Sequence, residues 1–364
     1  WKGITYDDIS AEARFTPGHV DFQADSRSPH LDFAVSGGHD LGAELPATEL
    51  FADLRNIDLS TFLKSGRFKD GSVSATVAAS AIGMKPDDIS GWVSIAGLTL
   101  TTPEGGTVNA GDIILEMTPG DSLRSVTLES RPLDMRLDGH FTFASLVADI
   151  KGIASRLFPA LVVPGTSDDT HDGTIAHLGI DIKADTLLTK LFKLPVEFIA
   201  PVELRAATEG QTLSLSLDAP YLKQKDKLIE GTRLTLNADG DVPHSTLTAT
   251  TTVPTKNGQM KIDLLTTGER DTLDTRVSWK IDRNKDFHGL IALTAGFDRP
   301  EETGILETCV RVLPTELVFN DSAWSVSPAT IDILPKLITV DGLGASRHGQ
   351  SLAINGTASP DSLS

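Results

Sequence analysis

Residues 212–238 read TLSLSLDAPYLKQKDKLIEGTRLTLNA. Leu213, Leu215 and Leu217 alternate with Ser214, Ser216 and Asp218, and Leu234, Leu236 and Ala238 follow in the same rhythm. A period of two places every second side chain on one side of an extended strand. Each run is therefore a strand with one apolar and one polar face.

The rhythm spreads outward from this stretch. Downstream it passes through Leu247, Ala249 and Val253, then Met260, Ile262 and Leu264, then Val277, Trp279 and Ile281, and then Ile291, Leu293, Ala295 and Phe297. Upstream it runs through Phe22 and Ala24, Leu31 to Val35, Val73 to Val77, Ile113 to Met117 and Leu133 to Leu137. Pro17-Gly18, Gly37-Gly38, Asp70-Gly71, Gly105-Gly106, Pro119-Gly120, Glu209-Gly210, Asp239-Gly240 and Asn257-Gly258 punctuate the runs. Such pairs supply the backbone of tight hairpins, so consecutive strands are expected to be antiparallel neighbours. Around Gly97 the phase slips from Val93 and Ile95 to Leu98 and Leu100. A bulge at Gly97 would keep both pairs on one face.

Two stretches have a helical period instead. From Ser145 to Val163, Leu146, Ile150, Ile153, Leu157 and Leu161 form one stripe, with Asp149, Lys151 and Arg156 off it, ending at Pro164-Gly165. From Asp185 to Leu194, Leu187, Leu188, Leu191 and Phe192 follow Asp185 as N-cap, with Lys190 and Lys193 near the end and Pro195 as the stop. The expected organisation is 1–164, closed by the first helix at 145–163; a polar loop, 165–176; and 177–364, containing the second helix at 185–194. A weaker boundary falls at Asp298 to Gly304. The fold class is all-β with two short helices, a mostly antiparallel sheet of about two dozen strands. Two helices cannot cover that many one-faced strands, so a second sheet, the same sheet folded over, or a ligand must do so.

Composition narrows the function. The chain has 364 residues, beyond the size of a single core, which implies several units or one elongated body. Hydrophobic residues make up 40% and aromatics only 5%, so aliphatics dominate. Lys+Arg 32 against Asp+Glu 50 gives a net charge of -18, with no basic stretch set apart. That argues against nucleic acid and against adhesion to an anionic membrane by charge. Cys309 is the single cysteine, so no disulfide forms within the chain. The apolar run Leu157 to Val163 is too short to span a bilayer. Opening at Trp1 and closing at Ser364, the sequence is expected to be a segment of something longer.

Catalytic motifs are missing. HExxH, GxSxG, GxxxxGK[ST], GxGxxG, CxxC and an EF-hand loop do not occur, so no enzyme, cofactor or resident metal is expected. Asp168, Asp169, His171, Asp172 and His177 are the nearest thing to a metal cluster, and their spacing matches no site pattern. His39-Asp40 and Asp239-Gly240-Asp241 read as turn chemistry. Asn320-Asp321-Ser322 and Asn355-Gly356-Thr357 fit the glycosylation sequon, and the second reads as a hairpin turn. Trp92, Trp279 and Trp324 suggest a sugar-stacking platform, although Trp279 is in phase with Val277 and Ile281 as a core residue would be. The helix at 145–163 has a mixed rather than basic polar face, which favours packing on a sheet edge or in a groove over lying on a membrane.

Two segments carry a resemblance. DDISGWVSIAGLTLTTPEGGTVNAGDIILEM, from Asp87, with LRSVTLESRPLDMRLDGHFTFASL, to Leu146, resembles AsmA-like repeats, in which short strands lead through a Gly-containing strand into a helix. LVFNDSAWSVSPATIDILPKLITVDGLGASRHGQSLAINGTASP, Leu317 to Pro360, is similar to the late part of TamB-type translocation and assembly proteins. The resemblance implies an elongated sheet curled into a U-shaped groove, the β-taco, with an apolar interior. It also implies a periplasmic place between inner and outer membranes, a part in moving phospholipid or assisting outer-membrane proteins, and, in the longer protein, an inner-membrane anchor and an outer-membrane barrel partner.

The expected groove lining is Leu213, Leu215, Leu217, Leu234, Leu236, Leu247, Met260, Ile262, Leu264, Val277, Trp279, Ile291 and Leu293, meeting phospholipid acyl chains. The alternative is a β-sandwich or solenoid, a scaffold or adhesin module with a dry core and no lipid. A carbohydrate-active enzyme ranks below both.

Overall fold

A computed structural model describes residues 8–42, 44–63, 69–102, 105–119, 123–162, 174–282, 287–359 and 362–363. Along the chain come strands β1 (Ile9–Thr16), β2 (His19–Ser28), β3 (Leu31–Asp40), β4 (Ala47–Asp58), β5 (Ser72–Ile82), β6 (Ser90–Thr101), β7 (Thr107–Thr118), β8 (Arg124–Ser130) and β9 (Leu133–His140). Helix α1 (Phe143–Leu157), β10 (Ile175–Ile182), α2 (Leu187–Phe192) and β11 (Glu197–Phe198) follow. The rest is strand: β12 (Val202–Glu209), β13 (Thr212–Gln224), β14 (Lys227–Asp239), β15 (His244–Thr255), β16 (Gly258–Glu269), β17 (Thr272–Ile281), β18 (Phe287–Asp298), β19 (Glu307–Val312), β20 (Thr315–Phe319), β21 (Ala323–Val326), β22 (Ala329–Leu334), β23 (Leu337–Arg347), β24 (Gln350–Ser359) and β25 (Ser362–Leu363). The protein is all-β, as the period of two implies, and antiparallel, as the short turns imply.

Contacts divide the chain into two units, Trp1–Phe143 with His177–Phe198, and Ala144–Ala176 with Ile199–Ser364. The sequence division ended the first part after the helix; the contacts place nearly all of α1 in the second unit and 177–198 in the first.

In the first unit β1 to β9 form an up-and-down series of antiparallel neighbours, with β10 beside β9. Register sets Phe22, Gly37, Leu50, Ala79, Val93, Leu115, Leu128 and Met135 opposite one another in one continuous row. The slip at Gly97 is a bulge. The register jumps between Ile95 and Leu98, Gly97 takes φ 62, and its N–H donates to Asp112 Oδ1 at 2.8 Å. Ile95 pairs with Ile113 and Leu100 with Val108, so the apolar face survives the slip. On that face Leu187 and Leu191 of α2 pack over Leu98, Leu100, Val108 and Ala110. Asp185 accepts from Leu187 N–H at 2.6 Å and so starts α2 from two residues ahead, and Lys193 ends it in a left-handed conformation.

The other end of the first unit is fastened by Arg124, whose side chain is 8% exposed. Its guanidinium donates to the carbonyls of Phe141, Pro86 and Asp87 and lies over the rings of Phe141 and Phe143 at 5.6 and 5.3 Å. A buried cation is tolerable here because three of its N–H groups reach carbonyls and the Asp87 carboxylate stands 3.4 Å from Nη1 as counter-ion.

The second unit runs antiparallel from β12 to β18; β18 then pairs with β19 along one part and with β20 along another. Helix α1 lies on the apolar face, with Ile153 and Leu157 against Ala238 and Leu213. Its buried side is Ser145, Asp149, Ile153 and Leu157, whereas Val147 and Ile150 are 66% and 40% exposed. This corrects the expected stripe. Spacing by fours fits the narrow strip of β13 and β14 beneath the helix, which leaves Ile150 outside and draws Asp149 in, with its Oδ2 lacking a hydrogen-bond partner. The helix ends at Leu157 and turns at 158–162; the expected stop at Pro164-Gly165 lies outside the described residues.

Two expected turns are strand interior. Gly37-Gly38 sits within β3, where Phe22 of β2 lies over Gly37 and a Cβ would stand 2.6 Å from its Cζ. Asn355-Gly356 sits within β24, and Asn355 Oδ1 accepts from Gly342 N–H at 2.6 Å opposite a register shift in β23. Side-chain capping of a bulge, not a hairpin, explains that asparagine.

Candidate functional site

The expected lining residues all fall on one face of the second unit, and the register shows how. Leu204, Leu217, Leu234, Ala249, Leu264, Val277 and Ile291 stand opposite one another in turn across β12 to β18. A neighbouring row carries Ala206, Leu215, Leu236, Leu247, Thr266, Thr275, Leu293 and Val312. Thr266 and Thr275 join hydroxyls at 3.1 Å, so the polar step in that row satisfies itself. Ile262, Trp279, Gly289, Leu317 and Trp324 form a third row, and Val253, Met260 and Ile281 a fourth.

Burial gives these rows their meaning. Each expected lining residue from Leu213 to Leu293 is only half-buried. The buried apolar residues of the second unit's strands are mostly small or at strand ends: Val202, Ala219, Ala238, Ile281, Ala292, Ala295, Val312 and Ala329. A core sealed between two sheets buries its large aliphatics fully. Here the large side chains keep accessible surface and the small ones are covered.

The opposite face is mostly polar, although Leu265, Leu290 and Ala292 lie on it. Thr235 and Thr248 share a hydrogen bond at 2.6 Å, Arg233 reaches Asp218 at 3.3 Å, and Lys261 reaches Asp263 at 3.1 Å. Partial burial pulls the Asp263 carboxyl upward, but hydrogen bonds from Thr250 and Lys261 and the Lys261 charge hold it below the usual carboxylate value.

Other sequence candidates do not converge. Trp92 belongs to the first unit and stands among Ser80 and Glu116 on its polar face, whereas Trp279 and Trp324 lie on the apolar face of the second. Asp168, Asp169, His171 and Asp172 lie outside the described residues, and among the described residues no cluster of His, Cys, Asp and Glu is placed to hold a metal. Asp40 and Asp239 cap turns, accepting from Gly42 N–H and from Asp241 and Val242 N–H. Asn320-Asp321 forms the turn between β20 and β21. Burial and then Asp332 push the Cys309 thiol up, away from the thiolate that a nucleophile needs. Among the described residues no helix is long and apolar enough to cross a membrane.

Sequence reasoning missed the glycines of the apolar face. Gly289 lies beneath Trp279, and Gly268 beneath Phe158, where a Cβ would stand 2.3 and 3.0 Å from the ring. For Trp279 and Gly289 the signal is their register on neighbouring strands, which pairing alone makes visible. Comparison with protein-family models, with curated proteins and with solved structures finds no match.

Proposed function

We propose that this chain is a lipid-conducting module of the AsmA and TamB type, part of a longer periplasmic protein that carries phospholipid between inner and outer membranes or assists outer-membrane protein assembly. The apolar rows curl into an open groove, acyl chains lie along them, and headgroups stay in water at the lips. The longer protein supplies the inner-membrane anchor and meets an outer-membrane barrel. No chemical step on the lipid is assigned to any residue.

The carrying observation is the unbroken row from Leu204 to Ile291, whose large aliphatics are only partly buried. Burying hydrocarbon gains about 0.8 kcal/mol per methylene, so a tail of roughly sixteen carbons gains on the order of 12 kcal/mol by lying on such a surface. Because each strand offers the next an equivalent apolar contact, a tail that shifts from Leu234 to Leu264 keeps that gain. Sliding then costs little. Rings laid over glycines, as Trp279 is over Gly289, add apolar floor without standing into the path.

The test is extraction. The chain purified from a diderm bacterium is dissolved in organic solvent and its lipid identified by mass spectrometry. Phospholipid near one molecule per chain or above is expected; a chain free of lipid after gentle purification refutes the conduit.

A further inference from the structure

Four large apolar side chains of the first unit stand on its polar face. Alternation puts Leu50, Ala52 and Leu54 of β4 on the apolar side and turns Phe51 the other way; Ile82 of β5, Trp92 of β6 and Ile114 of β7 are turned likewise. These four are 39 to 51% exposed. Register brings them together. Phe51 is opposite Ala78, Trp92 is diagonal to both Ala78 and Ile114, and Ile82 is two residues from Ser80, the partner of Trp92. Diagonal neighbours lie within reach of aromatic side chains, so the four make one apolar strip across four strands.

Carboxylates flank the strip. Glu49, Ser80, Trp92 and Glu116 follow one another in a single row, and Glu129 is the partner of Ile114. Glu49, Glu116 and Glu129 are exposed, and among the described residues none has an ion pair. The neighbouring cations are already taken: Arg55 by Asp32 and Asp53, Arg136 by Asp138, and Lys183 by Asp134. Lys85, in the turn after Ile82, shares that turn with Asp88, which leaves the turn neutral. The uncompensated charge beside the strip is therefore negative.

The topology selects the kind of partner. Each of β4 to β7 is hydrogen-bonded to a strand on both sides, so nothing can join them as a further strand. The strip must be met from above by side chains, which is how an amphipathic helix covers a sheet. The reverse face of the same unit shows the arrangement, where α2 packs Leu187 and Leu191 over Leu98, Leu100, Val108 and Ala110 and carries Lys190 between them. Phe51 and Ile114 are three strands apart, about 14 Å. A helix covers that distance in about three turns.

We propose that this strip docks an amphipathic helix of a partner protein, with its apolar stripe on Phe51, Trp92 and Ile114 and its lysines or arginines on Glu49, Glu116 and Glu129. The site is on the reverse of the apolar face and is independent of what that face carries.

The experiment titrates the full chain with three probes: a synthetic helix of about 18 residues built of Leu and Lys at helical period, the same helix with Glu in place of Lys, and a neutral glucose oligosaccharide. Three variants changed at exposed positions are compared with wild type after circular dichroism and melting. One carries Phe51→Ser and Trp92→Ser. The second carries Glu49→Gln, Glu116→Gln and Glu129→Gln. The third carries Glu209→Gln, Glu301→Gln and Glu307→Gln, the same change of charge placed on the second unit. Wild type is expected to bind the lysine helix and not the glutamate helix. The aromatic variant is expected to lose about tenfold or more of that affinity, as truncated aromatic anchors do. The second variant is expected to lose about threefold or more at low salt and less at high salt, and the third to match wild type. Undiminished binding by the aromatic variant, equal losses in the two glutamine variants, or no binding of the lysine helix by wild type overturns the proposal. If the aromatic variant does not fold, the two glutamine variants decide. Oligosaccharide bound in place of the helix, lost with the rings and kept by both glutamine variants, overturns it in favour of a sugar-stacking platform.

Discussion

Trp279 lies over Gly289, its partner in register on the next strand, so closely that a Cβ on the glycine would stand 2.3 Å from Trp279 Cζ2 and 2.8 Å from Cε2. Phe22 over Gly37 in the first unit is the same device on another pair of strands. In both the ring spreads along the sheet because its neighbour has no side chain. A large aromatic thus widens the apolar floor without raising it.

Gly289→Ala is therefore expected to displace the indole and destabilise the second unit by about 1 to 3 kcal/mol, the usual range for overpacking. Trp279→Leu removes the obstacle, so Gly289→Ala made in that background is expected to cost far less. A double-mutant cycle on denaturation midpoints reads the coupling; additive costs would mean the ring does not rest on the glycine.

The faces of the strands were legible because side-chain direction alternates whatever the tertiary context, which is why Leu213, Leu236, Ile262 and Val277 fall together as expected. Even the slip at Gly97 could be read, since a bulge is the local way to restore phase. What alternation does not encode is neighbour identity. Gly37-Gly38 looks like a turn until Phe22 is set opposite it, and Ile150 looks buried until the width of the strip beneath α1 is known. Open groove and closed sandwich demand the same alternation, so the pattern of faces is common to both.

Arg124 predicts a stability effect confined to the first unit. Arg124→Met keeps much of the stem but leaves the carbonyls of Phe141, Pro86 and Asp87 without a donor, and is expected to cost about 3 kcal/mol. Arg124→Lys is expected to recover only part, because an ammonium cannot reach three carbonyls as a planar fork does. Urea midpoints check both; a lysine variant as stable as wild type would assign the effect to charge alone.

Asp58 predicts part of the acid limb. Partial burial pulls its carboxyl upward, but hydrogen bonds from the Ser60 hydroxyl and N–H and from His30 outweigh this and hold it below the ordinary 3.8. A carboxyl lowered by folding adds stability that is complete above 3.8 and is lost as the pH falls through the folded value. Asp58→Asn should be less stable than wild type at pH 6, and the gap should close on acidification toward pH 3, an interval set by that direction of shift. Urea midpoints across the range test it; a gap that stays constant would show that the carboxylate charge is not what holds Ser60 and His30.

The sharpest test of the groove uses adjacent residues. Leu215 stands on the apolar face between Ala206 and Leu236, and Ser216 on the polar face between Arg205 and Thr235. Leu215→Arg puts a charge into the middle row, where an acyl chain would have to desolvate it at heavy cost. Ser216→Arg adds the same charge and nearly the same bulk one residue along, in water. Leu215→Arg is therefore expected to lower co-purifying phospholipid by about tenfold or more, the equivalent of at least ~1.4 kcal/mol, and Ser216→Arg to leave it unchanged. If lipid occupies the groove, the face decides how each substitution affects bound lipid, while the like charge that Ser216→Arg sets opposite Arg205 shows in melting. Equal loss from both would point to general charge or misfolding, which melting curves resolve, and equal retention would mean that the tail lies somewhere other than this row.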